Sequence, residues 1–412
     1  MPARHVEHWN SVINRMASCL PWYQPWLLRA AQGASAGEGG LSGLPLITAD
    51  VLEEHYYSEI NLLHKRNDLY RYLTSGTSSG RRKAIYYTEA DEENYLRIKL
   101  DVFRTILGEG VYRTALADMG TGHAEATALD VFRRLGMKAE SVSFRLPVEQ
   151  HLERLAEVRP EVLYTMPSIL NRLLMESPDP SAYGIRHVVL VGEIAPPLWI
   201  QAAAERLGIG ADQITDTYGS IEIGTIAYFS HEHGRYLFAE GIHAEGVQPE
   251  EIHPELEPLV HPDEQVLVLT SRVREAFPAL RYVTYDIVRD LRPVTVGGEE
   301  RQSFQSIVRR IGPDLKHGEK ISVYDIENVV YRHLTDAGVR IKVTGNALHV
   351  LVYSNNVPGK VLEAIRLDLE RHIPEIGHMI SAGILERMEV TQGEREQSYD
   401  RFSIKNKKII YE

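Results

Sequence analysis

Between Tyr72 and Lys83 the chain reads Tyr72-Leu73-Thr74-Ser75-Gly76-Thr77-Ser78-Ser79-Gly80-Arg81-Arg82-Lys83. Gly76 and Gly80 let consecutive backbone N–H groups turn toward one point, and the hydroxyls of Thr74, Ser75, Thr77, Ser78 and Ser79 add donors that reorient at little cost. Arg81, Arg82 and Lys83 bring positive charge to whatever anion those donors hold. This is the chemistry of a phosphate cradle; a polar surface loop ending in a basic triplet is the other reading. It is not the GxxxxGK[ST] loop, because no Lys-Ser/Thr pair follows Gly80 at the required spacing. A second group that can do chemistry is His231, His233 and His243, in HEHGRYLFAEGIH. Their loose spacing does not impose the convergent geometry of a metal site, so a substrate-side loop is preferred to zinc.

The elements that must position these residues are legible as patterns. The loop runs into a strand-like Ala84-Ile85-Tyr86-Tyr87. From about residue 139, short β-branched runs alternate with amphipathic stretches, as parallel α/β units do. The expected order is strand Ser141 to Phe144, helix Val148 to Ala156, strand Val162 to Tyr164, helix Ser168 to Glu176, strand His187 to Val191, helix Leu198 to Leu207 and strand Ile214 to Thr217. Ligand is then expected at the carboxyl ends of the strands. Gly, Pro and charge interrupt the apolar pattern at Gly312-Pro313-Asp314 and Gly318. Two domains are expected, 1–311 and 312–412, the second an αββαβ cap with its hairpin around Asn346. The fold class is therefore α/β, with a large N-terminal domain of mostly parallel sheets and packed helices, and a small α+β C-terminal domain.

Composition narrows the partners. Forty-five Lys and Arg stand against 57 Asp and Glu, a formal charge of −12, so the overall field opposes nucleic acid and anionic lipid while leaving a local anion site open. Cys19 is the one cysteine, which excludes an internal disulfide and a Cys-based zinc site. Charges and prolines break the N-terminal stretch before it reaches signal-peptide length, and no run of 18 apolar residues occurs. A cytoplasmic protein without membrane partners, monomer or homodimer, is expected.

The loop at 72–83 resembles the (Y)TSGTTGxPK loop of the adenylate-forming (acyl-CoA synthetase) superfamily. Four further stretches match it in order: Val191-Gly192-Glu193 (GAEP/GGE), Asp216-Thr217-Tyr218-Gly219-Ser220-Ile221-Glu222 (YGxTE), Leu280 to Arg289 (IRYRTGDLVR) and Gly318 to Glu327 (GxxVxPxxIE). The short chain, and a tail Ile404 to Ile410 similar to GKAKRVI, resemble the phenylacetate-CoA ligase branch. The resemblance implies that Thr74 to Gly80 and Lys83 wrap the ATP phosphates. It puts Gly192 and Glu193 beside the adenine, and Asp216, Tyr218, Gly219 and Ser220 around the nucleotide. Tyr218 then stacks on adenine, or packs at a strand end. Asp286 accepts both ribose hydroxyls, or is a solvated turn carboxylate. Glu222 takes Mg2+, and Lys405 is the catalytic lysine, with Lys407 the alternative two positions on. Gly122 and His123 sit where the acid pocket begins, or form a turn. Ser79 replaces a usual Gly, Arg81-Arg82 the x-Pro step, and Ile221 a Thr for which Ser220 can compensate. The hinge at 312–318 is short, with Asp314 or Lys316 as pivot.

The activity implied is an AMP-forming acid–thiol ligase. ATP, Mg2+ and CoA are its expected cofactors, and a small carboxylic acid, aromatic or short aliphatic, is its substrate. Two other readings stand beside it: transfer of the activated group to a carrier protein, amine, glycan or cofactor, and a nucleotide-binding protein that has lost turnover.

Overall fold

The computed structural model describes residues 3–33, 41–59, 61–73, 83–119, 123–256, 258–259, 261–311, 323–334, 337–344, 347–354, 357–373, 376, 380, 387–393 and 409–411. Interleaved segments build two compact units, Met1–Thr105 with Tyr218–Ile307 and Ile106–Thr217 with Val308–Glu412. The α/β class expected from the pattern is the class observed.

In the second unit five parallel strands run in the order Lys138–Val142, Thr114–Asp118, Val162–Thr165, His187–Val191 and Ile214–Ser220, the last contributing its first four residues to this unit. Val162–Thr165 is buried along its whole length, which is why such strands read as unbroken apolar runs. Crossover helices Val148–Val158, Pro167–Glu176 and Pro197–Leu207 follow the sequence expectation closely. The first buries Val148, His151 and Leu155 on one face and stops at Arg159, whose φ of 46° is left-handed, before Pro160. The other two begin on prolines, whose missing N–H costs nothing in a first turn. Strand order reverses between Thr114–Asp118 and Val162–Thr165, so the crevice of the sheet opens where Asp118 and Thr165 stand side by side.

The C-terminal part of the same unit has helix Val323–His333, the antiparallel pair Gly338–Thr344 and Ala347–Tyr353, helix Gly359–His372 and strand Arg387–Gln392. The tail adds a strand the pattern did not announce, Ile409–Tyr411, parallel to Gly338–Thr344. The hinge expected at 312–318 lies outside the described residues. Helix Val323–His333 packs against Pro197–Leu207, and Ile326, Val329 and Val330 share one core with Trp199, Ala203 and Leu207.

The first unit is antiparallel. Tyr70–Leu73 pairs with Ala84–Tyr87 in a hairpin whose strands close on Leu73 opposite Ala84. Helix Glu89–Leu107 follows it. Gly224–Ser230, Arg235–Phe238, Glu299–Phe304 and Arg292–Val296 form one run of strands, and Ile242–Val247, Glu264–Ser271 and Tyr282–Arg289 another. Their common core holds Met16, Tyr23, Tyr56, Tyr87, Phe277 and Phe304. Among the described residues no helix is long and apolar enough to cross a membrane.

Ile326 is fully buried where the C-terminal helix meets the shared core. Ile326→Ala is expected to cost about 2–5 kcal/mol of unfolding free energy, read by urea titration. A loss within the range of surface substitutions would show that this helix does not share the core.

Candidate active site

The first unit brings several expected residues to one turn. Gly219 must be glycine: a Cβ there would stand 2.8 Å from the carbonyl oxygen of Gly224. Gly224 has a φ of +101° and lies against the Tyr95 ring. Ser220 Oγ accepts the Ile223 N–H at 3.3 Å, which closes the turn and leaves the hydroxyl proton to be donated elsewhere. Tyr218 donates its hydroxyl to Asp286 Oδ2 at 2.5 Å and presents its ring edge-on to Phe304, 6.3 Å between centroids. Strand-end packing, one of the two readings of Tyr218, is thus present in the fold. Asp286 is half-buried on strand Tyr282–Arg289, and its N–H donates to Thr284 Oγ1 at 3.0 Å. The preceding Tyr285 is held left-handed at φ 63° while its hydroxyl accepts the Ala49 N–H at 3.0 Å.

Two side chains fix the backbone of this turn. Tyr87 donates its hydroxyl to the Ile221 carbonyl at 2.7 Å, and Arg274 donates Nε to the Glu222 carbonyl at 2.9 Å. The guanidinium lies 3.7 Å above the Tyr87 ring centroid and also donates to the Tyr86 carbonyl at 2.8 Å. Its charge is met by Asp91; each residue is 2% exposed. Asp91 accepts in addition the N–H groups of Glu275 at 2.8 Å and of Ala276 and Thr88 at 3.0 Å. The Thr88 bond is half of a capping box, completed by Asp91 N–H to Thr88 Oγ1 at 3.0 Å, at the start of helix Glu89–Leu107. The Thr88-x-x-Asp91 spacing was readable as a cap, but nothing local pointed to Arg274.

Lys83 leaves the 72–83 segment bonded to Glu53, with Nζ 4.7 Å above the Tyr57 ring. Burial, and next the nearby Glu222 carboxylate, push the Tyr57 phenol above its ordinary range. Lys83 is therefore in contact with Tyr57, and the Glu222 carboxylate is near enough to act on its phenol electrostatically. Thr74 to Arg82, Gly120 to Gly122, Lys405 and Lys407 lie outside the described residues.

In the second unit Gly192 ends strand His187–Val191 with a φ of +85°. Glu193 next to it accepts the backbone N–H of Ser168 at 2.8 Å and its hydroxyl at 2.9 Å, so the carboxylate caps helix Pro167–Glu176. Asp216 is buried on strand Ile214–Ser220, paired in register with Leu190. His123 opens helix His123–Arg134 and its carbonyl accepts Thr127 Oγ1 at 2.5 Å. Asp118 and His151 are a pair the sequence did not announce. His151 Nδ1 lies 2.8 Å from Asp118 Oδ2 and Nε2 3.2 Å from the Leu146 carbonyl, at the carboxyl end of the strand where the sheet reverses. Burial raises the Asp118 pKa, with His151 opposing it. The three histidines of the Gly-rich turn have separate neighbours: Phe229 for His231, Ser230 for His233 and Trp9 for His243.

Residues 316–395 match a family described as fumarate–diaminopropanoate ligase C-terminal domain. The chain is 35% identical over 381 residues to a fumarate–(S)-2,3-diaminopropanoate ligase of Enterobacter agglomerans, covering 92% of this chain and 93% of the relative. The fold is shared with a 2-hydroxyisobutyryl-CoA ligase in its postadenylation state, with a TM-score of 0.74 at 16% identity over 99% of this chain and 89% of the other. An amide bond synthetase from Marinactinospora thermotolerans shares it with a TM-score of 0.51 at 15% identity, over 78% of this chain and 65% of that one.

The Asp91–Arg274 pair is expected to dominate the stability of the turn. Arg274→Met strands a buried carboxylate and is expected to cost about 3–5 kcal/mol in urea titration. Adding Asp91→Asn should recover part of that loss, because the neutral amide oxygen still accepts the surrounding N–H groups. A double variant no more stable than Arg274→Met alone would refute this.

Proposed function

The chain belongs to the fumarate–diaminopropanoate ligase family of ATP-dependent, carboxylate-adenylating enzymes, and on that footing we propose that it joins a small carboxylic acid to the amine of an amino acid through an acyl-adenylate. The observation that carries the adenylation half is the turn Tyr218 to Gly224. Its backbone is held by Tyr87 and Arg274, Lys83 lies over the Tyr57 ring whose phenol the Glu222 carboxylate also influences, and Asp286 is bonded to Tyr218. The acceptor rests on the relative, whose name specifies fumarate and 2,3-diaminopropanoate.

In the first step an oxygen of the acid's carboxylate attacks the α-phosphorus of ATP and the bond to pyrophosphate breaks. Thr74 to Gly80 and Lys83 hold the β- and γ-phosphates, Asp286 receives the ribose hydroxyls, and Tyr218 stacks on the adenine. Gly192, Gly219 and Ser220 complete the nucleotide's surroundings, and Asp216 supports the strand beneath. Glu193, whose carboxylate already caps a helix, contributes through its backbone. Glu222 supplies one hard oxygen donor on a fixed turn. Among the described residues no group of three or more His, Cys, Asp or Glu surrounds a common point. That donor set fits Mg2+ arriving on ATP, which keeps phosphate and water oxygens, and not a protein cage. When bound, the ion neutralises charge developing on the phosphates. Lys405, or Lys407 in the neighbouring register, places an ammonium against the same charge, more strongly in the transition state than before it.

In the second step the amine nitrogen attacks the acyl carbonyl, AMP departs, and the nitrogen loses its proton as the amide forms. Residues 312–412, expected from the sequence as a separate domain, withdraw the lysine between the steps; the core that Ile326 shares with Trp199 belongs to one of the two positions. Gly122 and His123 border the acid. Transfer to the thiol of CoA or of a carrier protein is the second reading, supported by the fold shared with 2-hydroxyisobutyryl-CoA ligase.

ATP–pyrophosphate exchange is expected to depend on added acid, with fumarate active, and Lys405→Ala should lower it on the order of 10²–10³-fold. With 2,3-diaminopropanoate present the product should be an amide and AMP. A thioester formed with CoA in preference to the amide would move the acceptor to the thiol, and exchange that survives Lys405→Ala would remove that lysine's role.

A further inference from the structure

Strand Tyr282–Arg289 has an uncommon backbone where it carries Asp286. Among the described residues four that are not glycine have a left-handed φ, and three of them lie on this strand or beside its ends: Arg281 at 53°, Tyr285 at 63° and Asp290 at 50°. Arg281 donates to the Ser42 carbonyl and meets Glu245, and Asp290 meets Arg235 and Arg292. Tyr285 is an outlier of its type, since a bulky aromatic residue rarely takes such a φ. It stands where the motif IRYRTGDLVR has its glycine, the residue that adopts this conformation freely. Backbone strain is therefore accepted one residue before Asp286, and such strain persists only where its surroundings over-determine it.

The hydroxyl of Tyr285 supplies part of that determination. Residues 47–49 run beside the strand in parallel: Ile47 donates its N–H to the Arg281 carbonyl at 2.9 Å and accepts the Val283 N–H at 3.0 Å. A regular parallel ladder would send the Ala49 N–H to a further backbone carbonyl of the strand. It goes instead to the Tyr285 hydroxyl at 3.0 Å. Ala49 opens helix Ala49–Val51, which continues directly into Leu52–Tyr56. Glu53 there bonds Lys83, and Tyr56 donates its hydroxyl to the Ala276 carbonyl at 2.9 Å while accepting the Tyr86 N–H at 3.1 Å. The strand bearing Asp286 and the side chain of Lys83 are thus both referred to this one helix, and Tyr285 is a link on the Asp286 side.

We propose that Tyr285 is a positioning residue for the nucleotide: its left-handed backbone sets the direction in which Asp286 meets the ribose hydroxyls, and its hydroxyl bond to Ala49 keeps that direction fixed. The assignment rests on the adenylating reading above and concerns how this chain recognises ribose. A glycine would allow the same backbone and also its alternatives. A tyrosine tied through its hydroxyl allows one, so the carboxylate does not have to be ordered when the nucleotide binds. Loss of the tie leaves every group assigned to ATP present and makes one of them, Asp286, less well aimed.

The test uses Tyr285→Phe in the full-length protein, which keeps the ring and removes only the hydroxyl. Its probes are ATP and 2′,3′-dideoxy-ATP, which lacks both ribose hydroxyls. In ATP–pyrophosphate exchange with saturating fumarate, the KM for ATP is expected to rise on the order of tenfold, the scale of one lost hydrogen bond. With kcat expected to stay within about threefold, the loss lies in binding. The KM for the dideoxynucleotide should change less than about twofold, so the wild-type preference for the ribonucleotide shrinks. Tyr285→Gly takes the same φ without strain but has no hydroxyl, and is expected to match Tyr285→Phe. In an Asp286→Asn background Tyr285→Phe should add nothing to the KM for ATP, because its effect is exerted through that carboxylate. A wild-type KM in either single variant would overturn the proposal, as would equal losses with both nucleotides or the full effect persisting beside Asp286→Asn. Calorimetric titration of the two nucleotides separates this proposal from the reading beneath it. A protein without exchange activity, in which Tyr285→Phe weakens ATP binding but not the dideoxynucleotide, would sink adenylation and keep Tyr285. Exchange with an ATP affinity indifferent to the variant would do the reverse.

Discussion

A buried carboxylate cannot be left with its charge uncompensated, and Asp91 shows what that requirement builds. It faces the Arg274 guanidinium and accepts the N–H groups of Thr88, Glu275 and Ala276, all away from water. Satisfying it joins the first turn of helix Glu89–Leu107 to a segment 183 residues further along. The geometry left over on Arg274 is then spent on the Tyr86 and Glu222 carbonyls. Removing the Arg274 guanidinium would strand that carboxylate and release the Tyr86 and Glu222 carbonyls with it. This is the physical reason the Ser220–Glu222 backbone is a fixed platform and not a loop free to adapt.

Carboxylates elsewhere in the fold differ in what surrounds them. Glu193 accepts two bonds from Ser168 and serves a helix N-terminus. Asp118 is closed off with His151 at the reversal of the parallel sheet. Glu222 and Asp286 are half-buried, the first tied through its backbone and the second sharing one oxygen with Tyr218.

An acyl-adenylate is a strong electrophile that a thiol and an amine both attack, so the first half of the reaction does not choose the second. The choice lies in which nucleophile the protein can hold against the carbonyl. The expected thiol acceptor came from the resemblance to a CoA-using branch, and the relative sharing most of this chain is named instead for an amine. The shared adenylating fold is compatible with either, because related folds carry both CoA ligase and amide synthetase names.

The sequence determined by itself those features whose cause lies within a few residues. The glycine- and hydroxyl-rich run at 72–83 and the β-branched strands from Val162 to Thr217 belong to this class. So do the proline-started helices, and together they indicate the α/β class and a nucleotide site; the turn expected at Tyr218-Gly219 is instead the end of strand Ile214–Ser220, with the turn at Ile221 to Ile223. The antiparallel first unit was hidden because its strands pair segments distant in sequence, and the tail strand Ile409–Tyr411 because it is three residues long and pairs only at Gly338–Thr344. Tertiary structure decided which charges are buried and what meets them. In sequence Arg274 looks like an ordinary exposed charge, Glu193 like a residue beside the adenine, and Lys99 again like an exposed charge, since lysines and arginines almost always are. Only packing shows that the first supports the turn, the second caps a helix, and the third stands between two aromatic rings beside Gly224. Burial depends on every element that closes over a residue, and that sum is not written in its neighbours along the chain.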